Sequence, residues 1–201
     1  EGTCAPQIGA YDVPRDKFDA FTSQLRAEVA DMYGSMGTSL FVASAGNCNR
    51  NHDSAGLFEW PGSVGGAAVL RVAAVDGSDN LSSFSDFGLD GVELAAPGED
   101  FIMLRPGDAT TNTCTTTTTV NRCDGTSFAS PMVCGAVGLM LSFDPTLFGQ
   151  PCRIADRIIR NADQGVGNLT GQVGTYGAGG LRLNVFNAVR DAVTSPARGC
   201  P

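Results

Sequence analysis

Basic residues are scarce in this 201-residue chain: 13 Lys+Arg stand against 21 Asp+Glu, a formal net charge of −8. A phosphate backbone demands a clustered basic surface, so nucleic acid is not an expected partner. Long apolar runs are missing as well. No stretch approaches the roughly 18–20 uninterrupted apolar residues of a spanning helix, which predicts no membrane span, and no signal segment is visible at Glu1. Histidine is reduced to one residue, His52, inside the polar segment Cys48-Asn49-Arg50-Asn51-His52-Asp53, which reads as an exposed turn. Internal repeats are absent, and no Cys-x-x-Cys pair suggests a zinc site or a redox motif. The remainder is 42% hydrophobic, enough for one domain with a real core.

Seven cysteines spread along such a chain read as disulfides and an oxidising, secretory or extracellular compartment. Cys114 and Cys123 bracket the tract Thr115 to Val120, where a bridge would contribute about 2–4 kcal/mol. Cys4 with Cys48 and Cys152 with Cys200 are further candidate pairs. Two N-x-[ST] triplets, Asn80-Leu81-Ser82 and Asn168-Leu169-Thr170, fit a glycoprotein of that compartment. Asp76-Gly77-Ser78-Asp79 lacks the full spacing and closing Glu of a calcium loop.

Apolar periodicity organises the chain. Phe18, Phe21, Leu25, Val29 and Met32 make a helical stripe from about Asp16 to Tyr33, and Gly34 is placed to stop it. Leu40 to Ser44, Val69 to Val75 and Val92 to Ala96 read as strands, the first a buried run. Early alternation of helix and strand favours a parallel α/β sheet. Ser127 to Phe143 reads as a helix in which Gly135 and Gly138 permit close packing, with Asp144-Pro145 ending it. Further helices are expected at Pro151 to Asn161 and Asn184 to Val193, separated by the glycine-rich stretch Gly165 to Gly180. The tract Thr110 to Thr119 reads as a solvent-exposed, low-complexity insertion.

The strongest chemical signal is Asp124-Gly125-Thr126-Ser127-Phe128-Ala129-Ser130-Pro131, a hydroxyl-bearing turn entering the apolar helix. Gly125 permits an unusual backbone turn and Thr126 can cap the helix. Ser127 would then lie where unpaired N–H groups and the positive helix end converge, a setting for oxyanion chemistry. Asn47, at the end of the strand run Leu40 to Gly46, could donate a hydrogen bond to the same charge.

Gly125-Thr126-Ser127-x-Ala129-x-Pro131-x-Val133-x-Gly135, with Ala45-Gly46-Asn47 and Ala96-Pro97-Gly98 before it, resembles the subtilisin-like serine peptidases from about Asp16 to about Val193. The resemblance implies an α/β fold in three layers, a mostly parallel sheet flanked by helices. It implies Ser127 as nucleophile and Asn47 as oxyanion donor, with Ser44, Ala45, Gly46, Glu59, Trp60, Gly125 and Thr126 in substrate binding. Glu59 either points into the primary pocket, favouring Lys or Arg before the scissile bond, or turns to solvent. Cys134 falls where the family has a small residue and reads as a buried free thiol.

The family's aspartate and histidine motifs, which precede the Asn47 strand, are absent. Residues 1–201 therefore read as the C-terminal portion of a single subtilisin-like peptidase domain, with an N-terminal fragment of that domain as a partner. A polypeptide substrate and a propeptide inhibitor, hence a zymogen, are the other implied partners. No cofactor is expected; the resemblance leaves room for a structural calcium whose ligands these residues do not assign. A non-catalytic subtilisin-like binding module, or a degenerate peptidase lacking the base, is the alternative. An α/β-hydrolase is disfavoured because Thr126-Ser127-Phe128 does not match Gly-x-Ser-x-Gly.

Overall fold

The computed structural model describes residues 37–54, 62, 68–103, 114–116 and 121–191, with the helical positions 20, 23, 24, 27, 28, 31, 32 and 35. Those isolated positions agree with the expected first helix. Of its apolar stripe only Met32 is described, and it is exposed; the other four residues lie outside the described ones.

Three parallel strands form the central sheet in the order β1 (Phe41–Ser44), β2 (Val69–Val75), β3 (Leu94–Pro97), with Val42 opposite Leu70 and Ala73 opposite Ala95. The third strand starts two residues later than the apolar pattern suggests. Side chains alternate across the pleat, so Leu70, Val72 and Ala74 enter one core while Ala73 and Val75 enter another. Both faces are covered, which explains why β2 is a nearly continuous apolar run.

The first face carries α1 (Thr126–Phe143), which packs on all three strands through Ala129, Val133, Ala136 and Met140. Beside it lie α2 (Pro151–Arg160), opened by a proline whose missing N–H costs the first turn nothing, and the short α3 (Val185–Arg190), capped by Asn184. Buried Arg157 joins these elements, donating to Ala188 O at 2.7 Å, to Val189 O at 2.5 Å and to Asp144 at 2.9 Å. On the second face Leu169 and Val173 of the glycine-rich stretch cover Ala73, Val75 and Ala95. Its continuation runs beside β3, where Ala95 N–H donates to Leu181 O and Leu183 N–H to Ala95 O, each at 2.8 Å.

Sequence periodicity misses a second, antiparallel sheet, ordered β4 (Phe101–Met103), β6 (Asn121–Cys123), β5 (Cys114–Thr116). Part of the tract expected to be a solvent-exposed insertion is therefore a strand, in keeping with the β-branched character of threonine. Cys114 stands opposite Cys123 in register. Cys48, Cys123 and Cys152 are disulfide-bonded, with partners outside the residues whose side chains are described.

Two features of α1 bear on the sequence reading. By length and composition it is, among the described residues, apolar enough to cross a membrane, although here it is seated on the sheet. Gly135 and Gly138 were expected at a close contact, yet beyond the helix's own neighbouring backbone no described atom lies within 4 Å of a Cβ at either position. Met132, Leu139 and Phe143 are exposed along the same helix.

Two carboxylates tie stability to pH. The Asn80 N–H holds Asp76 below the ordinary carboxylate value of 3.8, and the Thr146 hydroxyl does the same for Asp144, aided by Arg157. With folded values depressed, their contribution is complete above the unfolded value and is lost as pH falls through the folded one. Asp144→Asn and Asp76→Asn should therefore lower Tm at neutral pH and converge with the parent protein in acid. Parallel Tm–pH curves would refute this.

Candidate active site

The loop after β1 turns at Gly46, whose φ of 116° suits glycine, and brings Asn47 against the start of α1. There the Asn47 Oδ1 accepts the Thr126 N–H and the Thr126 hydroxyl, both at 2.9 Å, while the Thr126 Oγ1 accepts the Gly46 N–H at 3.3 Å. The expected cap is thereby corrected. Gly125 occupies the N-cap position with no side-chain bond, Thr126 is already helical, and the acceptor for its N–H comes from 79 residues away.

With its oxygen so committed, the Asn47 carboxamide turns Nδ2 toward Gly125. A Cβ at Gly125 would lie 3.7 Å from Asn47 Nδ2, Ser127 N and Phe128 Cδ2 alike, so two N–H-bearing nitrogens and a ring edge border the space above this glycine. Its φ of 156° and ψ of 151° belong to backbone that other residues rarely adopt. Ser127 is exposed at the rim, and Phe128 stacks on Phe101 with ring centroids 5.2 Å apart, which anchors the first turn to β4. From the rear, Gly125 N–H donates to Gly98 O at 2.8 Å, and Gly98 N–H to Val75 O at 3.1 Å.

The backbone around Asn47 rests on Asp86, a fully buried carboxylate whose Oδ1 accepts the Cys48 and Arg50 N–H groups at 2.8 and 2.9 Å. His52, read from sequence as an exposed turn residue, is instead buried at its ring. Nε2 lies 2.8 Å from Ala45 O and 3.5 Å from Asp86 Oδ2, with side chains only 3% and 0% exposed. The polar flanks conceal this because the loop folds inward onto residues 84–87. Cys134 errs in the other direction: it is a free thiol, as expected, but exposed on α1, while partial desolvation pushes its pKa up.

Among the remaining expected site residues, Ser44 ends β1 half-buried, Ala45 is buried, and Glu59 and Trp60 lie outside the described residues. Sequence reading missed Asp86, because nothing local in Phe84-Ser85-Asp86-Phe87 distinguishes it from an ordinary turn aspartate. Among the described residues no three His, Cys, Asp or Glu side chains could share a metal ion, and Asp76 spends Oδ1 on the Ser78 and Asn80 N–H groups.

An exposed hydroxyl, two converging N–H donors and a helix N-terminus together form a setting for anion stabilisation during acyl transfer. Comparison with known proteins shows the family. The Subtilase family model matches residues 8–179, and the chain belongs to this family. Thermitase from Thermoactinomyces vulgaris is 33% identical over 152 residues, covering 76% of this chain and 44% of that protein. The halolysin-like extracellular serine protease Nep of Natrialba magadii is 34% identical over 114 residues, 57% of this chain and 18% of the relative. The chain thus spans less than half the length of these curated relatives. Among solved structures, the A-subunit of the AB5 toxin from E. coli superposes with a TM-score of 0.64 at 25% identity, covering 85% of this chain and 56% of the other.

Proposed function

We propose that this chain is the serine-bearing C-terminal portion of a secreted subtilisin-like endopeptidase. The observation that carries the reading is the Asn47 carboxamide docked on Thr126, with Nδ2 and Ser127 N both beside Gly125. Ser127 Oγ attacks the scissile carbonyl carbon as its proton passes to a histidine, and the carbonyl electron pair becomes an oxyanion held by Asn47 Nδ2 and Ser127 N. Collapse breaks the C–N bond, the histidine returns the proton to the leaving amine, and water releases the acyl group. No cofactor enters these steps.

The histidine and its aspartate come from polypeptide outside these 201 residues. His52 is not that base, since its Nε2 is engaged with Ala45 O. The exposed apolar residues of α1 and the open space beside Gly135 and Gly138 support a further segment of the same catalytic domain packing there. A propeptide is assigned as an inhibitory partner. Secretion is supported by the extracellular relative and by bridges we assign as Cys4–Cys48, Cys114–Cys123 and Cys152–Cys200. N-glycosylation is assigned to the same proposal, with exposed Asn168 as the favoured site.

Treatment with a fluorophosphonate probe tests the reading. Ser127 should be labelled when the rest of the catalytic domain is present and not when the 201 residues stand alone. Absence of labelling in both would overturn the enzyme and favour a binding module. We place Glu59 and Trp60 in the pocket wall with Ser44, Ala45 and Gly46. Cleavage after lysine should then exceed cleavage after phenylalanine or glutamate, and equal rates would remove Glu59 from that role.

A further inference from the structure

We propose that His52 and Asp86 are positioning residues that set the Asn47 carboxamide for catalysis, an inference that rests on the serine-peptidase reading above. Asp86 grips the backbone on both sides of Asn47. Its N–H donates to Gly46 O at 2.9 Å, and its Oδ1 accepts from Cys48 and Arg50. Between those contacts Asn49 holds a left-handed φ of 50°, a conformation strained for a non-glycine residue that persists only where surrounding bonds impose it. The Asn49 N–H donates to Phe84 O at 2.8 Å, completing the lacing.

His52 closes the loop. A carbonyl oxygen only accepts, so the Nε2 facing Ala45 O carries a proton, and the imidazole thereby ties the residue two before Asn47 to the residue five after it. The same Nε2 lies 3.5 Å from Asp86 Oδ2, which accepts no hydrogen bond among the described residues. This pairing has an electrostatic consequence. A buried carboxylate beneath a loop that must meet a developing negative charge opposes that charge unless a donor offsets it. The other carboxylate near the loop, Asp53, is occupied by the N–H groups of Leu89, Asp90 and Gly91 at 2.6, 3.0 and 2.8 Å. His52 is therefore assigned two tasks, holding the turn and masking Asp86.

Kinetics of the complete catalytic domain test the assignment. His52→Phe, which keeps a ring and loses the donor, should lower kcat about tenfold, a fraction of the loss on removing an oxyanion donor outright, with KM nearly unchanged. His52→Gln should restore most of it. Adding Asp86→Asn to His52→Phe should also recover activity, because an acceptor oxygen remains for Cys48 and Arg50 while the charge is gone. A role in folding alone predicts less active enzyme but no such recovery, so unchanged kcat or an unrescued double variant overturns the proposal.

A second measurement separates this inference from the enzyme reading. In the complete catalytic domain, His52→Phe and Asp86→Asn should each shift the Asn47 side-chain amide resonances, and unmoved resonances overturn the positioning role. If the parent domain shows no activity, the peptidase reading falls and the resonances alone decide.

Discussion

Replacing Asn47 with leucine in the assembled enzyme should lower kcat by about 10²–10³ with little change in KM, the loss seen when the oxyanion-hole asparagine is removed from subtilisin, a member of the same family. The local geometry explains why the effect should fall on turnover. Under the proposed function, Asn47 Nδ2 and Ser127 N, both beside Gly125, would meet a tetrahedral oxyanion more closely than a ground-state carbonyl. Leucine also deletes the acceptor for the Thr126 N–H and hydroxyl, costing about 1 kcal/mol of stability for the lost helix-end bond. Parallel measurement of kcat, KM and Tm separates the two effects. A variant in which KM rises and kcat stands still would remove Asn47 from the oxyanion site.

Gly98→Ala should damage fold and site together. A Cβ there would stand 2.5 Å from Ala74 Cβ and 3.0 Å from Gly125 O, inside the packed junction between β2, β3 and the turn before α1. Neither neighbour can swing aside as a flexible side-chain tip would. The backbone must move, at a cost of about 1–3 kcal/mol for overpacking. The direction of that movement matters, because Gly98 O accepts the Gly125 N–H. Pushing the Ala-Pro-Gly turn off β2 displaces Gly125, and with it the spacing between Ser127 and Asn47. Denaturant unfolding should show the stability loss, and fluorophosphonate labelling of the surviving folded enzyme should be slowed. Unaltered labelling at reduced stability would show that the turn supports the fold alone.

Much of the site was legible because its signals are local. The turn Gly125-Thr126-Ser127 followed by an apolar helix, and a strand run ending in Gly46-Asn47, each declare a backbone geometry within a few residues. β2 was equally plain, since burial on both faces leaves an apolar run. What failed to show depends on partners remote in sequence. His52 carries the flanks of a surface turn, and only the lacing of residues 49–52 onto residues 84–87 buries its ring against Asp86. The antiparallel sheet escaped because each of its strands is three residues long, too short for an alternation to register. Thr126 was read as a cap because the sequence cannot reveal that a carboxamide 79 residues earlier takes that duty.

That separation of 79 residues also dictates when the site can exist during folding. Bringing such distant segments together carries a chain-closure penalty of roughly 4 kcal/mol beyond its fixed part, which a few polar contacts at the loop cannot meet by themselves. Pairing of β1 with β2 joins residues far nearer in sequence, such as Phe41 and Val69, and shortens the remaining closure. Loop closure thus favours sheet formation before the meeting of Asn47 with Thr126, and refolding is expected to regain β-structure before the Asn47–Thr126 contact.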